Sequence, residues 1–461
     1  MDEKERIAKG VIPLFAIVVV GTGLGGMTQT ALNTMASEVL TDLSTDIGWG
    51  QWLTTIYIFC MGAAVPLASY VQRKLSIRSL ILISYGLYLM GSLCDFAALN
   101  FPMLIVGRVL EAVATGILMP LLQTIAMTRF PDRMHGTAMG FAGIALGFAP
   151  NIGPVLGGAI ASSVGWRFLF LILALASAIL IVAAIAVVRE RDVKDPAATL
   201  DVLSLCLSTF GFGGLLLSFT AAANMPIFEP PVWLSCVVGA ICLVLFVKRQ
   251  KHLELPLVNL RIFSFKPYWA NLISQCFLYG CFVGMTLIIP LTIVEAAGHT
   301  SFEAGLVLFP GALAALIFEP GAGWLSDRFG IRRVAIVGGI MLSLGAVSIA
   351  FVPVDAPLWI FALCQAVRCM GLTTLIPSTT AAALGPLGNA GITTDGSATL
   401  IMCRQVSAAL ATAIMVFLLK LFTTPDTPVL GYGMALGFSG LLAVLCLLCV
   451  ILFVRDKKGD S

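Results

Sequence analysis

The sequence Pro320-Gly-Ala-Gly-Trp-Leu-Ser-Asp-Arg-Phe-Gly-Ile-Arg332 ends one apolar segment and enters a basic turn. A second stretch, Pro66-Leu-Ala-Ser-Tyr-Val-Gln-Arg-Lys-Leu-Ser-Ile-Arg78, aligns with it without gaps and has the same place beside an apolar segment. The correspondence continues two apolar segments later, with Arg108 in one copy and Arg368 in the other. The repeat therefore predicts two related, parallel halves.

The segments around these stretches are apolar enough to lie in a membrane. Of the 461 residues, 59% are hydrophobic and 11% are charged, and the mean hydropathy is +1.00. Soluble domains carry about 25% charged residues, so lipid must be the main solvent of this chain. A helix needs about 20 apolar residues to cross the bilayer core. Windows of this kind predict fourteen spans, near 11–35, 50–71, 79–99, 103–127, 136–162, 167–188, 200–222, 232–248, 269–293, 303–325, 332–352, 357–383, 393–420 and 430–454.

The basic residues predict how these spans are oriented. Most of the 27 Lys and Arg residues lie in the two termini and in alternate loops, at 73–78, 129–133, 189–194, 248–266 and 328–333. Cytoplasmic loops carry an excess of Lys and Arg, so both termini are predicted to be cytoplasmic. The first apolar stretch is too long for a signal-peptide core and is interpreted as a retained span. The predicted location is the plasma membrane, and the short loops favour a bacterial inner membrane.

Composition and motifs exclude several classes of function. The net charge of +3 is too small and too scattered for nucleic-acid binding. The chain has no P-loop for ATP hydrolysis, and no motif indicates an enzyme. Its twelve cysteines lie in or beside apolar stretches without metal-ligand spacing, so neither a metal nor another cofactor is expected.

Three motifs give the chain a resemblance to a known family. They are Gly323-Trp-Leu-Ser-Asp327-Arg328-Phe-Gly330-Ile-Arg332-Arg333, Arg108-Val-Leu-Glu111-Ala-Val-Ala-Thr-Gly116 and the run Gly143-Ile-Ala-Leu-Gly147-Phe-Ala-Pro150-Asn-Ile-Gly153-Pro154-Val-Leu-Gly157-Gly158. Over nearly its whole length the sequence resembles the major facilitator superfamily, in particular its fourteen-helix, DHA2-like branch of drug:proton antiporters. The resemblance implies an all-α integral membrane fold of two pseudo-symmetric six-helix bundles plus two accessory helices.

The resemblance also implies domain boundaries and shows where this chain departs from the family. The first bundle, the accessory helices, a cytoplasmic linker and the second bundle are expected at 1–195, 196–250, 251–268 and 269–461. In the first helix Thr28 stands where the branch has an acidic residue. Whatever that acid does in relatives must be done elsewhere here, or not at all. The first-half loop departs as well, with Ser69, Arg73 and Ser76 in place of Gly, Asp and Gly.

Charged residues within spans are the first functional candidates, because charge is costly in hydrocarbon. Arg108 and Glu111 lie one turn apart, either as a structural ion pair or as a proton-binding carboxylate tuned by an arginine. Glu319 is either a second carboxylate for protons or substrate, or a gate partner of Arg328 or Arg332. Proton coupling is therefore assigned to Glu111, Arg108 and Glu319.

The motif residues are candidates for conformational change. Pro150 and Pro154 each remove a backbone hydrogen bond and favour a kink, while the glycines favour close helix packing. Asp327 is expected to cap a neighbouring helix in one access state. Asp95, near a helix end, is expected at the membrane interface. The predicted conformational set is Gly143, Gly147, Pro150, Gly153, Pro154, Gly157, Gly158, Gly323, Asp327, Arg328, Gly330 and Arg332.

Polar residues in apolar spans have two interpretations. They form interhelical hydrogen bonds, or they line a wet cavity at the membrane midplane. The candidates for a substrate cavity are Gln29, Asn33, Tyr57, Gln123, Gln275, Arg368 and Arg404.

These features together predict a monomeric, proton-coupled antiporter that exports amphipathic small molecules across the lipid bilayer by alternating access. The proton is the coupling ion. The first alternative is a transporter of amphipathic organic anions, with proton symport as one mode of coupling, because Arg108, Arg368 and Arg404 suit acidic groups. The second alternative is a protein that does not pump, such as a lipid scramblase or a membrane sensor.

Overall fold

In a computed structural model the chain forms a bundle of long helices. The structure describes residues 10–45, 50–189, 200–225, 228–253, 256–388, 390–423 and 429–454. Within these ranges there is no strand, and fourteen helical segments are long and apolar enough to cross a membrane. The all-α class and the predicted number of spans are therefore confirmed.

The first part of the chain supplies six spans. Its helices are α1 (Val11–Asp42), α2 (Gly50–Lys74), α3 (Ile77–Phe96), α4 (Phe101–Thr128), α5 (His135–Gly143), α6 (Ala149–Val164) and α7 (Arg167–Val187). A π-helical turn, Ile144–Phe148, joins α5 to α6, so these two helices form one span. Pro150, the second residue of α6, cannot donate a backbone hydrogen bond, which explains why the regular helix is interrupted here.

The second part repeats this arrangement after two further helices. The two inserted helices are α8 (Val202–Asn224) and α9 (Pro230–His252). The last six spans are α10 (Lys266–Leu291), α11 (Ser301–Phe329), α12 (Ile331–Phe351), α13 (Leu358–Gly388), α14 (Thr393–Phe422) and α15 (Leu430–Phe453). A second π-helical turn, Thr292–Ala296, extends α10. Gly330 separates α11 from α12 with φ +91°, a conformation that glycine adopts without strain.

The two parts pack by the same pattern of helix pairs. In the first part α4 lies against α2 and α3, and α1 lies against α6. In the second part α13 lies against α11 and α12, and α10 lies against α14. These pairs correspond one to one in chain order, as the sequence repeat predicts. We refer to α1–α7 as the first half and to α10–α15 as the second half.

The inserted helices form a hairpin on one side of the two halves. Helix α8 packs against α9, and it also contacts α2 of the first half and α14 of the second. Arg249 donates two hydrogen bonds to Asp201, from Nε and Nη2 at 2.8 and 3.0 Å, and joins the end of α9 to the start of α8. Gln250 donates to Ser204 Oγ at 2.6 Å beside this ion pair. Polar contacts thus join the two helices of the hairpin to each other, and packing holds the hairpin against the seam between α2 and α14.

Candidate functional site

A cavity of about 700 Å³ lies between the two halves. Its walls contain residues from both halves and from α8, including Gln29, Met119, Asn151, Phe219, Tyr279 and Arg404. Along α14 the lining runs from Ile401 to Lys420 in the last turn of the helix, and Glu295 lies at the same end. We call the end of the bundle with loops 73–78, 129–133 and 328–333 the basic face. The cavity thus extends from the middle of the bundle toward the face opposite the basic face.

Polar contacts close the cavity on the side of the basic face. Ser397 at the start of α14 donates to Gln123 Oε1 of α4 at 2.6 Å. One turn closer to the basic face, Thr394 contacts Thr124 of α4 and donates to Gln72 of α2, each at 3.3 Å. These bonds join the second half to the first below the cavity floor. The structure is therefore open on one face and closed on the other.

Asp327 forms a second closing contact at the basic face. Its carboxylate accepts hydrogen bonds from the backbone amides of Gly136 and Thr137 at 2.8 and 2.6 Å and from Thr137 Oγ1 at 2.6 Å. These donors lie in the first turn of α5, where unpaired amides and the helix dipole both favour a negative charge. Gly323 allows the approach, since a Cβ there would overlap the Gly136 carbonyl oxygen. One carboxylate of the second half thus caps a helix of the first half.

Glu319 lies in the same interface, deeper in the membrane. It is fully buried, and among the described residues neither carboxylate oxygen has a hydrogen-bond partner of normal geometry. The side chain fits against Gly143 and Gly147, and a Cβ on Gly147 would overlap Oε1. The amide of Phe148, in the π-helical turn, is close enough to interact with the carboxylate electrostatically. The glycines of the predicted motif therefore make room for an acidic side chain of the other half.

A gate ion pair between Glu319 and Arg328 or Arg332 does not form. Arg328 is exposed and its guanidinium lies 5.2 Å from the centre of the Trp324 ring. Arg332 is exposed and donates to the Ile451 carbonyl oxygen at 3.4 Å. Of the interpretations given for Glu319, the ion pair is contradicted, and the buried carboxylate for protons or substrate stays a prediction.

Arg108 and Glu111 form an ion pair inside the first half. Arg108 Nη1 donates to Glu111 Oε2 at 2.8 Å, and both side chains are fully buried. Ser92 Oγ donates to the other Glu111 oxygen at 2.7 Å. The guanidinium lies 4.1 Å from the centre of the Tyr57 ring and donates to the Thr28 carbonyl oxygen at 3.3 Å. Thr28 precedes the cavity residue Gln29, so this pair lies directly behind the cavity wall.

Asp95 belongs to the same cluster, which the sequence did not predict. It lies in the last turn of α3, near the helix end as predicted, and its side chain is fully buried within the protein, so its place at the membrane interface stays a prediction. Its carboxylate occupies space left by Gly107, interacts electrostatically with Arg108 and Glu111, and has no hydrogen-bond partner. Two carboxylates therefore share one arginine in the first half.

The predicted cavity residues divide into two groups. Gln29 and Arg404 line the cavity. Tyr57, Gln123, Gln275 and Arg368 form interhelical contacts outside it. Gln275 of α10 donates to Thr379 and Thr380 of α13, for example. Arg368 packs against Gly345 of α12, and its hydrogen bond to Gln365, at 2.9 Å, lies within α13. The side chain of Asn33 lies outside the part of the structure that is described.

Arg404 is the charged group of the inner cavity wall. Its Nη2 donates to Thr380 Oγ1 at 2.6 Å, and the guanidinium lies 4.8 Å from the centre of the Tyr279 ring. The residue is 3% exposed, and its Nε has no hydrogen-bond partner in the part of the chain that the structure describes. Thr380 and Tyr279 thus hold the guanidinium in place without neutralising it.

The proline- and glycine-rich run also packs the first half together. Thr30 Oγ1 donates to the carbonyl oxygen of Pro150 at 2.7 Å, and Thr34 Oγ1 donates to that of Pro154 at 3.1 Å. A Cβ on Gly157 would lie 2.6 Å from the Ala31 carbonyl oxygen, whereas one on Gly158 would meet nothing within 3.9 Å. Most of the run therefore serves contact with α1, and Gly143 and Gly147 serve contact with α11.

Several cavity residues were missing from the predicted set. Asn151 lies inside the quoted glycine- and proline-rich run, and Gln405 follows Arg404 directly. Tyr279 is one of only seven tyrosines in the chain and lies in an apolar span. A search for every polar residue within one turn of the chosen motifs would have found Asn151 and Gln405. Glu295 and Lys420 lie at span ends, where sequence gives no sign of a cavity mouth.

Comparison with known proteins identifies the family. Residues 18–412 match the model of the Major Facilitator Superfamily. The chain belongs to the major facilitator superfamily. Its family and fold make it a multi-pass membrane transporter rather than an enzyme.

Individual relatives of this major facilitator support the predicted branch. The chain is 32% identical over 411 residues to a Bacillus subtilis (strain 168) protein named Uncharacterized MFS-type transporter YcnB, covering 88% of this chain and 86% of that protein. It is 28% identical over 415 residues to the lincomycin resistance protein LmrB of Listeria monocytogenes serovar 1/2a (strain ATCC BAA-679 / EGD-e), covering 89% and 86%. The human organic anion transporter MFSD10 (TETRAN) has the same fold, with a TM-score of 0.66 at 12% identity over 95% of this chain and 99% of that chain.

Proposed function

We propose that this major facilitator is a proton-coupled antiporter that exports amphipathic small molecules by alternating access. The observation that carries the proposal is the cavity between the halves, open at one face and closed at the basic face by Asp327, Gln123 and Ser397. With the basic face in the cytoplasm, as the loop charges predict, the structure corresponds to an outward-open state. The drug-resistance name of LmrB supports export over import.

The proposed moving units are the two six-helix bundles of the predicted domains, 1–195 and 269–461. The boundary near 195 lies outside the described residues, and the boundary at 250 falls in the last turn of α9. The cavity is complete within one chain, since its walls come from both halves and α8. A monomer that uses the proton as its coupling ion and needs no other cofactor is therefore sufficient for this cycle.

Glu111 is the first proposed proton carrier. It lies behind the wall that Gln29 forms, and Arg108 connects it to the backbone of the neighbouring residue Thr28. A proton on Glu111 would neutralise the carboxylate and free Arg108 from its partner. The movement of Arg108 would then be transmitted to α1, which forms part of the cavity wall.

Glu319 is the second proposed carrier, with a different effect. Burial of a carboxylate charge without a partner is costly, so the closed contact with Gly143 and Gly147 favours the neutral acid. Opening of the basic face would admit water and allow the proton to leave toward the cytoplasm. Protonation of Glu319 would thus stabilise the outward-open state, and its loss would favour the inward-open state.

Everted membrane vesicles acidified by respiration test the coupling. A fluorescent pH probe reports proton release from the lumen when an amphipathic compound is added, for wild type and for the variants Glu111→Gln and Glu319→Gln. Asp355→Asn is the matched control, because Asp355 is an exposed acid outside the interface. We expect release in wild type and control, and loss of release in the variant of each residue that carries a proton.

The outcomes separate the possibilities. Loss in one variant only would assign the coupling to that carboxylate. Release that survives in both variants would keep antiport and move the proton to another group, with Asp95 the next candidate. Absence of release with every compound tested, from folded wild-type protein, would overturn proton antiport.

A further inference from the structure

We propose that the cavity selects amphiphiles with an anionic group, such as a carboxylate or a sulfonate, and that Arg404 binds this group. The inference rests on the proposed function only in taking this cavity as the substrate site. It names the chemical class of the substrate, which neither the fold nor the family determines.

The charges along the cavity are the first observation. Its lining contains two basic residues, Arg404 and Lys420, and one acidic residue, Glu295. Glu295 lies at the mouth and accepts a hydrogen bond from Tyr432 at 3.0 Å. At the depth of Arg404 the described lining has no carboxylate. A cationic substrate that reached this depth would therefore meet a like charge without a compensating acid.

The acids that could bind a cation are elsewhere. Glu111 is behind the wall and already paired with Arg108. Glu319 is enclosed between α11 and the π-helical turn and does not line the cavity. Both side chains are fully buried. A substrate cation in the outward-open cavity has access to neither.

The state of Arg404 is the second observation. Of the buried arginines, Arg108 has Glu111 as an ionic partner, whereas Arg368 and Arg404 have no acidic partner among the described residues, and of these two Arg404 lines the cavity. Its Nε is buried and has no hydrogen-bond partner. An unpaired charge and an unsatisfied donor inside a membrane protein are both costly. An anionic ligand group at the edge of the guanidinium that lines the cavity would supply the missing counter-charge.

The geometry of the guanidinium suits such a ligand. The planar fork of arginine matches two oxygens of a carboxylate or sulfonate, and stacking on an aromatic ring leaves the edges of the fork available. Tyr279 provides the ring, and Thr380 fixes one nitrogen. The lining also contains the apolar side chains Met119, Leu146 and Ile401, and Ile401 lies about one turn from Arg404 on α14. An amphiphile could therefore place its acidic head group on Arg404 and its apolar body against these side chains.

Binding of a matched pair of probes tests the inference. Dansyl-aminocaproate and dansylcadaverine carry the same fluorophore on a short alkyl chain, but the first ends in a carboxylate and the second in an ammonium. We would measure their dissociation constants by fluorescence with purified full-length protein in lipid nanodiscs, using empty nanodiscs to subtract partitioning into lipid. The wild type should bind the anionic probe at least tenfold more tightly.

Variants of Arg404 and of a basic residue outside the cavity locate the effect. Arg404→Gln should weaken binding of the anionic probe about ten- to hundredfold, the range of a charged hydrogen bond inside a protein, and leave neutral dansylamide unchanged. Arg404→Lys keeps the charge without the fork and should lose less. Arg333→Gln removes the same charge at the exposed basic face, outside the cavity, and should change the affinity by less than threefold.

The results distinguish an error in the proposed substrate class from an error in the proposed proton antiport. Equal or tighter binding of the cationic probe by wild type would overturn the substrate class, as would an unchanged affinity in Arg404→Gln. If Arg404→Gln does not fold, the wild-type preference and Arg404→Lys decide. The assay needs no gradient, so anion-selective binding without proton release in vesicles would overturn antiport and leave the substrate class standing.

Discussion

Replacement of Asp327 by alanine should open the basic face. The carboxylate accepts three hydrogen bonds across the interface, at 2.6 to 2.8 Å, all from the first turn of α5. A hydrogen bond to a charged group contributes about 1.5–3 kcal/mol when well shielded. These donors are partly buried and regain water when the face opens, so about 1 kcal/mol each is the better value. The three bonds together stabilise the closed state by about 3 kcal/mol, a population ratio of about 150.

Single-molecule energy transfer between the two halves would measure this ratio. Thr128 at the end of α4 and Arg333 at the start of α12 are both exposed at the basic face and suit labelling through unnatural amino acids, which avoids the twelve native cysteines. If the closed state outnumbers the open state tenfold in wild type, Asp327→Ala should reverse the preference. Asp355→Ala removes an exposed acid at the opposite face and should leave the distribution unchanged. Identical distributions for the two variants would refute the reasoning.

Two further predictions concern stability. Gly147→Ala places a Cβ against the Glu319 carboxylate and should lower the free energy of unfolding by about 1–3 kcal/mol, seen as a lower melting temperature in detergent. Gly158→Ala is the control, because no atom lies closer than 3.9 Å to its Cβ, and it should melt like wild type. Equal melting temperatures of the two variants would contradict the packing. The Arg249 guanidinium lowers the pKa of Asp201 to about 2, so the ion pair stabilises the fold above the usual carboxyl pKa of about 4 and this contribution disappears as the pH falls toward 2. Because the pair is partly exposed, Asp201→Asn should cost about 1 kcal/mol or less at pH 7 and nothing near pH 2; a difference that persists at low pH would exclude the ion pair as its cause.

The number of spans and the family were predictable because they depend on local sequence. Each apolar window reports its own transfer free energy to the bilayer, whatever the rest of the chain does. Gly330 of the loop motif likewise reflects a local need, a residue at positive φ between two helices. These signals survive without knowledge of neighbouring helices.

The composition of the site was less predictable because it depends on which helix faces meet. Arg108 and Arg368 occupy equivalent places in the repeat, yet one pairs with Glu111 and the other with Gln365. Asp95 is buried because Gly107 of the next helix leaves space for it. Glu319 and Gly147 were both predicted as candidates. They are 172 positions apart, and nothing in the sequence indicates that they touch. Polarity within a span predicts that a residue has a partner and not whether that partner is protein or substrate.

The position of α8 removes the symmetry that the repeat would otherwise give the transporter. The seam between α2 and α14 and the seam between α5 and α11 are related by the repeat, but α8 contacts both helices of the first seam. Its residues Leu216, Phe219 and Thr220 form part of the cavity wall there. A compound dissolved in the bilayer would therefore meet a protein barrier on one flank and the direct junction of the halves on the other. Molecules can therefore exchange between lipid and cavity on one flank and not on the other. The membrane leaflet and the direction of approach, as well as chemical affinity, then decide which molecules are transported.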